Sequence, residues 1–267
     1  MNFSKGILCA ASTFLITNGA FAGGIEIIEP VEVVAAGPYW EFLAMGGIAS
    51  LVMNDVTLDL TSIEVDELHQ THKDEWRAWT ANLGFGYVIP FFDISRPNDA
   101  QWFTAIEPQI NAYYLQGSMK GDFDRFVNFP GIFNDTDYSL RVESARLMFD
   151  TSLTFLTLRN LSFFGIAGIG PSWNRVTLDA YETDCLMELD IERHTSTNLA
   201  YEFGGGLIFT ASENLAFTAE YLYTGFRNVK LGDEVDIGHH EIDLRDIESS
   251  DLDLSSQAVF FGIRLAF

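Results

Sequence analysis

Gln257-Ala258-Val259-Phe260-Phe261-Gly262-Ile263-Arg264-Leu265-Ala266-Phe267 has an apolar side chain at every second position. Val259, Phe261, Ile263, Leu265 and Phe267 fall on one face of an extended chain, with Ala258, Phe260, Gly262, Arg264 and Ala266 on the other. A period of two argues for a strand with two different surroundings. Such a strand belongs either to a soluble sandwich with its greasy face inward or to a membrane barrel with that face outward.

The same alternation recurs upstream. Ala81, Leu83, Phe85, Tyr87 and Ile89 share a face, as do Leu199, Tyr201, Phe203, Gly205, Leu207 and Phe209, and then Leu215, Phe217, Ala219, Tyr221 and Tyr223. Eight such segments are expected, at about 39–51, 76–90, 100–116, 138–158, 161–173, 197–210, 214–226 and 255–267. Their connections alternate. Short ones (91–99, 159–160, 211–213) separate long ones (52–75, 117–137, 174–196, 227–254). A sandwich has no reason to sort its loops by length, whereas a membrane barrel has short turns at one end and long loops at the other.

Charge is sorted the same way. The chain has 38 Asp and Glu against 15 Lys and Arg, for a net charge of −23. The four long connections hold 26 of those acids and 8 of the bases, charge that hydrocarbon cannot solvate and water can. Such a balance excludes nucleic acid as a partner, because phosphate neutralisation needs clustered cations. At 48% hydrophobic and 14% aromatic, the chain is too apolar for an acidic disordered segment. Trp40, Trp76, Trp79, Trp102, Trp173, Tyr221 and Tyr223 sit toward segment ends, as interfacial girdles require.

Residues 1–22 read as an export signal. Lys5 is followed by the apolar Gly6–Thr17 stretch, and Ala20-Phe21-Ala22 supplies the small residues of a cleavage site. Its apolar run is shorter than the ~20 residues a spanning helix needs. Of the two cysteines, Cys9 would leave with the signal, and Cys185 stands among acids that discourage thiolate formation. Gly23–Pro38 reads as a periplasmic tail, with an occluding plug as the alternative, and the barrel as 39–267.

The terminal strand ending in Phe267, together with Ala219-Glu220-Tyr221 in the strand before it, resembles the small OmpA-like outer-membrane β-barrel proteins of Gram-negative bacteria. The resemblance implies an all-β, transmembrane, antiparallel up-and-down barrel of eight strands, with short periplasmic turns and long extracellular loops. It also implies outer-membrane location and a role for Phe267 in the signal read by the barrel-assembly machinery.

Eight strands enclose an interior that side chains can fill. Alternation places Glu107, Gln109, Asn111 and Tyr113, then Arg146, Asp150 and Ser152, then Glu202, Thr218, Glu220 and Arg264 inside. Buried charge left unpaired costs several kcal/mol, so Arg146 and Arg264 are expected to bridge neighbouring acids. This interior reads first as a polar plug. The alternative is a narrow cation-preferring channel or transporter for small solutes.

The loops carry the remaining candidates. His69 and His72 in the first long loop, and His239 and His240 in the last, are nitrogen donors that a shared transition-metal site would use, with Glu241 or Asp243 beside them. Glu64, Asp66 and Glu67, and separately Asp233, Glu234 and Asp236, could hold divalent cations that bridge to lipopolysaccharide. Both groups read first as solvated, repulsive surface. A hydrolase needs a histidine paired with an acid or serine. His239, His240 and Asp243 opposite Asp66 or Asp74 would imitate one, but no embedded segment contains a histidine, and no catalytic residue is nominated. The expectation is therefore a non-enzymatic protein with no resident cofactor. Its partners would be outer-membrane lipid, lipopolysaccharide, the assembly machinery and a host or cell-surface molecule.

Overall fold

The computed structural model describes residues 37–54, 56–59, 65–70, 77–91, 100–124, 136–181, 188–230, 234–237, 240–243 and 252–267. The expected signal segment, most of the tail, Cys185, His72 and His239 lie outside them.

Eight long strands form the barrel: β1 (Tyr39–Met53), β4 (Ala78–Pro90), β5 (Gln101–Asp124), β6 (Thr136–Leu158), β7 (Leu161–Tyr181), β8 (Glu188–Ser212), β9 (Leu215–Val229) and β12 (Leu252–Ala266). Each pairs antiparallel with its neighbour, and β12 pairs with β1 from Glu41↔Ala266 to Met53↔Leu254. The ring runs β1, β4, β5, β6, β7, β8, β9, β12 and back to β1. Closure leaves these strands no free edge along their paired length. The two fully described turns, Arg159–Asn160 and Glu213–Asn214, have two residues each. Arg159 takes φ 53 to make the first of them, the left-handed geometry that tight hairpins require.

Four shorter strands stand at the loop end: β2 (Val56–Asp59), β3 (Val65–His69), β10 (Glu234–Ile237) and β11 (His240–Asp243). They correct the reading of 52–75 and 227–254 as plain loops. β3 pairs with the outer end of β5, and β10 with the outer end of β8. Because β4 begins only at Ala78, the edge of β5 away from β6 would otherwise be unpaired there, and the β2–β3 hairpin occupies that place. Gln70 fastens it to β1: its Oε1 accepts from Met53 N at 2.9 Å and its Nε2 donates to Leu51 O at 2.9 Å.

The outward faces are apolar over a defined height. Ile48, Leu83, Phe85, Ile110, Phe149, Ile169, Leu199, Phe203, Phe217 and Phe261 are exposed large hydrophobics there. On β7 the band runs from Phe163 to Trp173. At ~3.3 Å per residue and ~40° tilt that is about 25 Å, the height of a hydrocarbon belt.

Above the band the alternation inverts. On β6, Ala145, Leu147 and Phe149 point out while Ser144, Arg146 and Asp150 are buried; nearer the loops Tyr138, Leu140 and Val142 are buried while Arg141 is exposed. On β7 the change falls between Trp173, exposed, and Val176 and Leu178, buried. The inner face is thus not polar throughout, as the alternation had suggested. Beyond the outward apolar band the outer face turns polar, so the extended strands need an apolar interior of their own there, and Leu51, Met53, Leu115, Met119, Leu252 and Leu254 help to fill it.

Candidate functional site

All eleven side chains expected inside the barrel are buried, each at 5% exposure or less. Near the turn end, Arg264 Nη1 donates to Glu41 Oε1 and Glu107 Oε2, both at 2.9 Å. Its guanidinium carbon stands 5.1 Å from the Phe164 ring centroid. Glu41 is the member that the sequence reading missed. It alternates with Trp40 and Phe42, so the signal was present, but Leu43 and Met45 on the same inward face hid the polarity.

The next level is built on amides. Asn111 Nδ2 donates to Gln109 Oε1 at 2.9 Å and to Asp150 Oδ2 at 2.6 Å. Asp150 and Glu202 both stand in register with Gly168, one on each flank. A Cβ at Gly168 would collide with Asp150 Oδ1. Glycine there makes the close approach of the carboxylate to the strand backbone feasible. Arg146 Nε lies 3.3 Å from Glu202 Oε2, with its guanidinium carbon 4.4 Å from the Tyr113 ring centroid and 5.7 Å from that of Phe226. Aromatic faces accept a cation that carboxylates alone do not fully surround.

Glu41, Glu107, Asp150, Glu202 and Glu220 face Arg146 and Arg264, so acids outnumber guanidiniums in this interior. Among the described residues, neither oxygen of Glu220 has a hydrogen-bond partner, although the residue is only 2% exposed. Above Arg146, Asn174 Nδ2 donates to Ser172 Oγ at 3.0 Å and Ser196 Oγ to Asn198 Oδ1 at 2.7 Å. This small polar ladder lies beneath the apolar interior.

Phe267 joins the seam: its N donates to Trp40 O at 3.0 Å and its O accepts from Trp40 N at 3.3 Å. The ring itself is exposed, 6.0 Å from that of Phe85. Of the loop histidines, His69 ends β3 in register with Asp122, and His240 begins β11 in register with Ile237. Asp66 and Glu67 follow β3 onto β5, whereas Glu234 and Asp236 follow β10 toward β8. The two hairpins therefore attach to different strands, β5 and β8, which are separated around the ring by β6 and β7 on one side and by β4, β1, β12 and β9 on the other. Among the described residues no three His, Cys, Asp or Glu side chains converge as a metal site. Glu64 and Asp233 lie outside them.

No family model matches the sequence, and no curated protein does. Solved structures share the strand arrangement at a distance. The chain is similar to the outer membrane protease OmpT from Escherichia coli at 7% identity, covering 86% of this chain and 97% of that one, with a TM-score of 0.46. It is similar to the outer membrane protein OprG from Pseudomonas aeruginosa at 12% identity, with coverage of 88% and 99% and a TM-score of 0.36. Neisserial surface protein A is 14% identical over 87% of this chain and 100% of its own, with a TM-score of 0.35. Likenesses of this depth carry no argument about activity or ligand.

Proposed function

We propose that this chain is an outer-membrane β-barrel whose work is structural and interactive: a filled, rigid cylinder that carries acidic loops on the cell exterior. The observation that carries this reading is the closed ring with its outward apolar band, in which Leu83, Phe149, Phe203 and Phe261 are each more than half exposed. Exposed apolar surface on that scale around a whole barrel is stable only against lipid. Loops on such a scaffold are positioned for recognition without needing chemistry of their own. The filled interior supports the same reading, because an ion or solute would have to pass both the charged network and the apolar level above it.

A tag inserted in the 125–135 connection tests it. Labelling by a membrane-impermeant reagent on intact Gram-negative cells is the expected result. Labelling only after the outer membrane is opened would reverse the topology, and recovery of the protein in the soluble fraction would end the proposal. N-terminal sequencing of the recovered protein should begin at Gly23. Loss of cell or surface binding when the acidic connections are shortened, with the barrel still inserted, would identify the interactive role.

A second reading rests on the surplus of buried acid and the unpartnered Glu220. If the level above opens, those carboxylates would favour cations. Planar-bilayer recordings decide between the two, since a closed plug gives no steps and an acidic path gives cation-selective ones.

A further inference from the structure

On the outer surface, the strands carry a charge pattern that neither the interior nor the loops explain. Arg77, Lys120, Arg141, Arg175 and Arg227 are all exposed, and all lie within about six residues of the aromatic or apolar edge of the band on the loop side. In a chain of net charge −23, five of its fifteen cations therefore stand just beyond the loop-side edge of the band, with Glu143 beside Arg175 and Asp253 across from Arg227 and Asn228 as the acids among them. Farther out the sign reverses, with Asp122 and Asp137 exposed and in register with each other.

Within this ring, Arg141, Glu143, Arg175 and Thr177 line a cavity of about 250 Å³ on the faces of β6 and β7. Arg141 is in register with Thr177 and Glu143 with Arg175, so the two arginines stand diagonally on one face. Arg175 Nη1 lies 3.1 Å from Glu143 Oε2. Trp173, two residues before Arg175 on the same face, is exposed at the edge of the band. Two guanidiniums and a hydroxyl lining one cavity beyond the apolar band match a phosphate on its charged side. The apolar surface below them, including Leu147 and Ile169, matches acyl chains. A ligand that satisfies both is a lipid.

We propose that Arg141, Arg175 and Thr177 form a binding site for the phosphate of an acylated, phosphorylated sugar headgroup in the outer leaflet, with Glu143 as a built-in competitor for Arg175. The proposal rests on the outer-membrane reading above. It is distinct from divalent bridging by the acidic loops, since it needs no metal.

The experiment is native mass spectrometry of the detergent-folded protein with bisphosphorylated lipid A, the same lipid dephosphorylated, and inorganic phosphate. Wild type should retain the phosphorylated lipid about tenfold better than its dephosphorylated form. Arg141→Gln with Arg175→Gln should erase that preference. Glu143→Gln, which frees Arg175 and removes a repulsive charge, should increase it; a purely structural role for the cluster does not predict that rise. Equal retention of the two lipids, or a preference untouched by the double variant, overturns the proposal. So does displacement of lipid by millimolar inorganic phosphate, which would make this a site for the free anion. Should the double variant fail to fold, Arg141→Gln alone and the wild-type comparison decide. A barrel that inserts into bilayers yet ignores phosphate defeats this inference alone, whereas a protein that folds in water without detergent defeats the outer-membrane reading itself.

Discussion

Replacing Arg264 with Met removes one side chain and strands two. Glu41 and Glu107 each take a 2.9 Å hydrogen bond from the same Nη1, and their side chains are 9% and 6% exposed. Water therefore cannot substitute for the lost guanidinium in place. Breaking a buried ion pair from one side costs about 3–5 kcal/mol, which is about two to three and a half decades in the unfolding constant. At a urea slope of about 2 kcal/mol/M the midpoint should fall by about 1.5–2.5 M. The assay is equilibrium unfolding from lipid vesicles followed by tryptophan fluorescence. The quadruple variant Arg264→Met, Glu41→Gln, Glu107→Gln, Glu220→Gln provides the cross-check: with the guanidinium and the three carboxylates that interact with it all neutralised, it should lie within about 1 kcal/mol of wild type. A loss below about 1 kcal/mol for Arg264→Met alone, or no recovery in the quadruple variant, would show that Arg264 does not hold these carboxylates.

Three further outcomes follow from the packing. Gly168→Val should cost about 1–3 kcal/mol by pushing Asp150 off Asn111, read as a lowered unfolding midpoint; an unchanged midpoint would mean that the strand relaxes around the new side chain. Leu140→Ala, in the interior above the band, should cost about 2–5 kcal/mol, while its outward neighbour Ser139→Ala should stay within about 0.5 kcal/mol; equal effects would refute the inverted interior. Gln70→Ala should leave global stability nearly intact but speed hydrogen exchange at Met53, whose N donates to the Gln70 side chain; unchanged exchange would mean that the first hairpin is held elsewhere.

The eight spans and their antiparallel order were legible because lipid and lumen impose a strict period of two, and each segment carries enough residues to display it. The burial of Arg146 and Asp150 was legible for the same reason: once Phe149 is placed outward, both can only point in. What the sequence hid was the change of surroundings along one strand. The reading stopped β7 at Trp173, yet Arg175 and Thr177 still alternate with Val176 and Leu178. The period persists while its polarity reverses. The hairpins β2–β3 and β10–β11 were hidden for a different reason. Their strands are four or five residues long and acidic, and their pairing with β5 and β8 is set by where β4 and β9 end.

The most direct test places spin labels one at a time along the outer face of β7, at Ala167, Ile169, Trp173, Arg175 and Thr177, in a Cys185→Ser background after reconstitution into bilayers. Collisions with oxygen, which dissolves in lipid, should dominate at the first three positions, and collisions with a water-soluble nickel chelate at the last two, with the crossover between Trp173 and Arg175. Chelate access at all five positions would mean that water, not lipid, contacts this face, and would contradict the account.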